Sequence, residues 1–171
     1  SKIELTRMKN LFLLRHAKSS WDNAALVDFD RPLSKRGISN AILLSKYIKK
    51  NSISFDLVLS SPSERTQSTL DLVLNSFDPI PTTTFKESIY HASASSLSQL
   101  IKEQDDEINN LLIIGHNPGL HILTETLTNE SIVKLPTCTF VKITNFNQWK
   151  DLDAGILNLE LLITPKELKH D

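Results

Sequence analysis

Leu11-Phe12-Leu13-Leu14-Arg15-His16 is a short apolar run that stops on a cation and an imidazole. Too short for a helix and apolar throughout, it suits a strand buried on both faces. Two further runs read the same way. Asp56-Leu57-Val58-Leu59-Ser60 passes into Ser61-Pro62, and Leu111-Leu112-Ile113-Ile114-Gly115 ends at His116. Helical patterns lie between and after them, over residues 35–50, 62–76, 94–105 and 118–128. Ser34 is placed to cap the first, with Ile38, Ala41 or Ile42, Ser45 and Ile48 on its apolar face. Ser61, Pro62 and Glu64 read as a capping box that starts the second. Thr139–Asn145 and Gly155–Ile163 look like closing strands, and 77–93, with its Asp78-Pro79-Ile80-Pro81, like a long connection. Strands alternating with helices predict a three-layer α/β/α fold around a largely parallel sheet.

The chain has 171 residues, enough for one domain with its own core, which we place at about residues 8–168. Nineteen Lys and Arg balance twenty Asp and Glu, so no overall basic field exists to attract a nucleic acid. A single cysteine, Cys138, forms no internal disulfide and is too few for a Cys-rich zinc site; packing is the expected role. No apolar run is long enough to span a bilayer, and residues 1–10 lack the apolar stretch of a signal peptide. The expectation is a cytoplasmic protein with neither membrane nor nucleic-acid partner.

In open parallel sheets ligands bind beyond the carboxyl ends of the strands. Three of the strands deliver Arg15, His16, Arg65 and His116 there, together with the expected helix starts at Pro62 and Pro118. Arginine offers planar, permanently charged donors that suit phosphate, and helix N-termini add oriented N–H groups. The expected ligand is a compact dianion. Two histidines beside it point past binding. A neutral imidazole attacks phosphorus well, nearby arginines keep it neutral, and the same arginines stabilise the phosphoryl group in transfer. Neither a metal nor another cofactor enters that scheme. His116 and His121 are badly spaced for one helix face, and no HExxH is present.

These residues resemble a known family. Leu13-Leu14-Arg15-His16-Ala17 is similar to the "RHG" signature of the histidine phosphatase superfamily, with its phosphoglycerate-mutase-like fold. The nearer resemblance is to the SixA-type phosphohistidine phosphatases. It is carried by RHAKSSWD (15–22), DFDRPLSKRG (28–37), LVLSSPSERTQST (57–69), ESIYHAS (87–93), LLIIGHNPGL (111–120), LPTCTF (135–140) and ITPKEL (163–168). The resemblance implies that His16 is the phosphorylated nucleophile, that Arg15 and Arg65 bind phosphoryl oxygens, and that His116 steadies the transition state. It implies an acid near Glu87 as proton donor. Ala17 stands where the family has Gly, and Asp22 where many relatives have Asn; an ionised Asp22 is expected to face outward or meet a cationic substrate group. Lys18 and Ser19 are placed at the mouth, His91 in a connecting loop, and Trp21 and Trp149 at the rim or in the core.

The expected substrate is a phosphorylated protein, phosphohistidine included, because the chain has little length for a cap over the site. The alternatives are a small phosphomonoester on the same scaffold and a non-catalytic phosphate-binding module.

Overall fold

A computed structural model describes residues 8–169. Six strands form one sheet: β1 (Asn10–Arg15), β2 (Leu57–Ser60), β3 (Thr83–Phe85), β4 (Asn110–Gly115), β5 (Phe140–Thr144) and β6 (Asn158–Ile163). Their order is β3-β2-β4-β1-β5-β6. The pairs β2–β3, β2–β4 and β1–β4 are parallel, whereas β5 runs antiparallel to both β1 and β6. Five helices pack around it: α1 (Lys35–Lys50), α2 (Glu64–Val73), α3 (Ala94–Lys102), α4 (Gly119–Thr128) and α5 (Pro165–Leu168). The α/β class and the mostly parallel sheet are as expected.

Alternation along the central strands divides the core. Leu11 and Leu13 of β1, with Leu111 and Ile113 of β4, pack against Leu97, Ile101, Leu120 and Leu123 of α3 and α4. Phe12 and Leu14, with Leu112 and Ile114, pack against Ala41, Leu44, Ile48 and Leu70 of α1 and α2. Each such Leu, Ile or Phe taken from water contributes roughly 1.5–3 kcal/mol. That is why both strands are apolar throughout between their end residues, at 11–14 and 111–114.

Several details differ from expectation. Ile38 and Ile42 are exposed; Gly37, Asn40, Ala41, Leu44, Ser45 and Ile48 form the buried face of α1. Helix α2 starts at Glu64 with Ser63 at its N-cap, so Pro62 precedes the helix and Ser61 does not cap it. Helix α3 stops at Lys102. The connection 77–93 contains β3, a three-residue edge strand, and the chain closes with the short α5. Trp149 is fully buried against Phe146, away from any rim.

Register sets the working end. Arg15 pairs with Gly115, and Ser60 with Ile114, so three strands finish side by side. The His16 N–H donates to the Gly115 carbonyl at 3.1 Å, and the Ser61 N–H to the Ile114 carbonyl at 3.0 Å. Because β5 runs the other way, the loop preceding it reaches the same end. There the Cys138 N–H donates to both the Arg15 and His16 carbonyls, at 3.0 and 2.9 Å. Cys138 adopts φ 62°, a left-handed conformation that turns the chain beneath the site.

Two glycines let the walls approach. A Cβ on Gly37 would lie 2.1 Å from the Lys18 carbonyl oxygen, and one on Gly119 2.3 Å from that of Ala92. The first holds the loop after β1 against α1. The second holds the segment after β3 against α4.

Candidate active site

A cleft of about 600 Å³ opens at the carboxyl end of the sheet. Arg15, His16, Arg65 and His116 all line it, so the structure brings the expected four together. The rings of His16 and His116 have centroids 5.2 Å apart.

His16 is buried, and its Nδ1 lies 2.7 Å from the Ala17 carbonyl oxygen. A carbonyl only accepts, so Nδ1 carries the proton and Nε2 keeps its lone pair. Burial, reinforced by Arg65, Arg15 and Arg31, pulls the ring from its ordinary value to about 4, against the opposing pull of the Ala17 hydrogen bond. Burial and the neighbouring His16 and Arg65 bring His116 to about 3. Both rings are therefore neutral at pH 7. The His116 Nε2 sits 2.8 Å from the Ser61 hydroxyl.

The arginines are held differently. Arg15 donates through Nη1 to the Leu135 carbonyl at 2.9 Å, while its buried Nε has no partner. Burial and the proximity of Arg65 disfavour its charge. Asn117 donates to the same Leu135 carbonyl at 2.9 Å. Arg65 is fastened to Asp28, Nη1 to the backbone oxygen at 2.8 Å and Nη2 to the carboxylate at 3.0 Å. Asp28 also accepts from Arg31 Nη1 at 3.1 Å and from the Tyr90 hydroxyl. The Tyr90 hydrogen bond first, then Arg65 and Arg31, hold this carboxyl far below the usual carboxylate range. Arg31 further donates to the Ser19 hydroxyl and lays its guanidinium 3.2 Å from the centre of the Trp21 ring. Helix α2 is tied to the strand end through Thr69, whose hydroxyl accepts the Ala17 N–H at 2.9 Å.

The remaining expectations divide. Lys18, Ser19, Trp21 and His91 line the cleft. Ser19 is buried under Arg31, whereas Trp21 is 75 % exposed. Glu87 is exposed, in a single 3-10 turn, and is not among the residues that line the cleft. Asp22 is likewise exposed and outside that lining. Ala17 is fully buried and is not among the residues with positive φ, so the methyl group costs no strain. Burial pushes the Cys138 thiol up to about 12, consistent with packing.

Sequence reading assigned no role to Asp28, Arg31 and Tyr90. They lie in aperiodic loops, inside the segments DFDRPLSKRG and ESIYHAS that carry the family resemblance, and the ion-pair spacing of Asp28 and Arg31, before the Ser34 cap, marks two of them. Among the described residues no group of three or more His, Cys, Asp or Glu is arranged to hold a metal ion. None of the described helices is long and apolar enough to cross a membrane.

The fold and these residues have relatives. An uncharacterized chloroplastic protein of Arabidopsis thaliana is 33% identical over 171 residues, covering 92% of this chain and 78% of that protein. A structure from Agrobacterium tumefaciens, described as a candidate phosphohistidine phosphatase SixA, superposes with a TM-score of 0.80 at 24% identity, covering 92% of this chain and 98% of that one. The protein histidine phosphatase SixA complexed with tungstate gives 0.78 at 20% identity, covering 93% and 99%. Residues 11–110, from the first core strand to the start of β4, match the model of the histidine phosphatase superfamily, branch 1. With its paired histidines set among arginines at the strand ends, this chain belongs to the histidine phosphatase superfamily.

Proposed function

We propose that the protein is a metal-independent phosphatase that forms a covalent phosphohistidine on His16 and takes its phosphate from phosphohistidine side chains of other proteins. The observation that carries this reading is the Nδ1 contact of His16 with the Ala17 carbonyl at 2.7 Å. It fixes the tautomer that leaves Nε2 as a nucleophile beside arginine donors.

The phosphoryl group enters the cleft as a dianion. Arg15, with its unpartnered Nε, and Arg65 take its oxygens, and the gathering charge of the transition state meets fixed guanidinium groups. The His116 ring, 2.8 Å from the Ser61 hydroxyl through Nε2, steadies the phosphoryl group in transfer. His16 Nε2 attacks phosphorus and the leaving group departs; water then attacks the phosphohistidine and frees phosphate. Asp28 positions Arg65 and Arg31 without touching substrate. The SixA-like neighbours at TM-scores of 0.80 and 0.78 and the exposed mouth around Trp21 support a protein-borne substrate.

The test is phosphate release from a phosphohistidine protein and from a panel of small phosphomonoesters, in EDTA, with His16→Ala as control. Preferential, EDTA-resistant release that vanishes in His16→Ala is expected. Preference for a small ester with the same control keeps the chemistry and overturns the substrate class. Turnover that survives His16→Ala overturns the mechanism. No His16-dependent turnover on any substrate overturns the enzyme reading in favour of a phosphate-binding module.

A further inference from the structure

A leaving group departs with an electron pair, and an alkoxide or an imidazole anion does so readily only when a proton arrives. The ionisable groups of the cleft differ in whether they can bring one. His16 and His116 are buried among cations and stay neutral, so neither carries a spare proton. Asp28 is an ionised acceptor engaged by three side-chain donors. Tyr90 spends its hydroxyl proton on that carboxylate. Lys18 supplies a point charge, and Glu87 and Asp22 do not line the cleft.

His91 is what remains. It lies on the cleft wall and is exposed to solvent. Its ring stacks on Tyr90 with centroids 4.0 Å apart and planes at 24°. Tyr90 in turn stands 5.5 Å from the His116 ring. The stack holds an imidazole, the side chain suited to exchanging protons near neutrality, next to the phosphoryl site.

We propose that His91 is the proton donor to the leaving group. This rests on His16 as nucleophile. In the first step His16 Nε2 gives its lone pair to phosphorus. The bond from phosphorus to the leaving atom breaks with its electron pair on that atom, and a ring N–H proton of His91 moves onto it. His91 is then neutral. In the second step His91 takes a proton from water as the water oxygen bonds to phosphorus. The phosphorus–nitrogen bond breaks with its pair returning to His16, phosphate leaves, and His91 is an imidazolium again.

The experiment measures leaving-group release from a series of phosphate monoesters running from p-nitrophenyl phosphate to simple alkyl phosphates. It compares the unaltered protein with His91→Gln, His91→Phe and Glu87→Gln. His91→Phe keeps a ring on Tyr90 and removes the exchangeable proton. Both His91 variants are expected to slow the alkyl esters about 100-fold more than the p-nitrophenyl ester, the scale of general acid catalysis. Glu87→Gln is expected to leave the dependence on leaving group as it is. Equal loss across the series in the His91 variants, no loss in them, or a steeper dependence in Glu87→Gln overturns the proposal. Labelled phosphate trapped on His16 separates the two levels. Label in the unaltered protein together with parallel profiles overturns the His91 role alone. No label in the unaltered protein overturns the nucleophile and the donor together.

Discussion

Strand β1 has a cation at each end, and the two are treated in opposite ways. Lys9, just before the strand, is 1% exposed. Its ammonium donates to the Asp106 carbonyl and to Asn109 Oδ1 at 3.1 Å, and lies 5.8 Å from the centre of the Trp149 ring. Arg15, at the other end, keeps a buried Nε with no partner and has Arg65 beside it. A cation closed in by acceptors serves the fold. A cation left short of acceptors, beside another cation, is arranged for an anion that comes from outside.

That contrast is open to direct attack. Arg15→Met is expected to lower kcat/KM by about 10²–10³-fold, the loss typical of one fixed donor to a transition state. Its melting temperature should hold or rise, because the substitution removes a buried orphan and a like-charge neighbour; steady-state kinetics and calorimetry on one preparation check both. A large fall in stability would erase the distinction between the two ends.

Acid probes the same end. Unfolded histidines take up protons below about pH 6.5. Folded His16 and His116 do so only near about 4 and about 3. Between those limits the unfolded chain holds more protons, so stability falls as pH drops from about 6.5 and levels off below the folded values. The loss should be several kcal/mol, read from urea midpoints across pH. The slope should flatten in His116→Gln, and an unchanged slope would place the acid sensitivity elsewhere.

Lys9→Met is expected to be the mirror of Arg15→Met. Leaving the Asp106 carbonyl and Asn109 without their donor should cost about 1–3 kcal/mol of stability, read by urea denaturation, with kcat/KM of the folded protein unchanged. The smallest effect expected is that of Asp28→Asn. The amide still meets Tyr90 but holds Arg65 and Arg31 less firmly, and kcat/KM should fall about tenfold, some 1.4 kcal/mol, mostly through KM.

The parts of the molecule that repeat were the parts legible in advance. Strands β1 and β4 are apolar at all four inner positions because both faces are covered, and the Ser34 hydroxyl does accept the Gly37 N–H at 3.0 Å to start α1. The same local pattern then had two outcomes. Thr164-Pro165-Lys166-Glu167 forms a true capping box, whereas Ser61-Pro62-Ser63-Glu64 does not, because the chain is still extended at Ser63 and the helix begins only at Glu64. The Ser61 hydroxyl meets His116 instead, a distant partner of which local sequence carries no record. Strand β3 was missed because three half-exposed residues on a sheet edge show no alternation. Ile38 and Ile42 were misplaced because helical spacing alone does not say which face meets the sheet. Of the site, the four residues at strand and helix starts were readable from position. Asp28, Arg31 and Tyr90 were not, since only the folded loops bring them to Arg65.

The segment between β1 and α1 closes on itself at a narrow neck. The Ser20 N–H donates to the Pro32 carbonyl at 2.8 Å, the Ser34 N–H to the Lys18 carbonyl at 2.9 Å, and Gly37 admits that neck against the helix. Everything beyond it, Trp21 and Asp28 included, hangs outside the sheet's two cores. It is a cassette. Its outer residues 21–27 can be exchanged by grafting or by divergence while Asp28 still holds Arg65 and the strands beneath keep their packing, so selectivity can drift in a lineage without the chemistry being rebuilt.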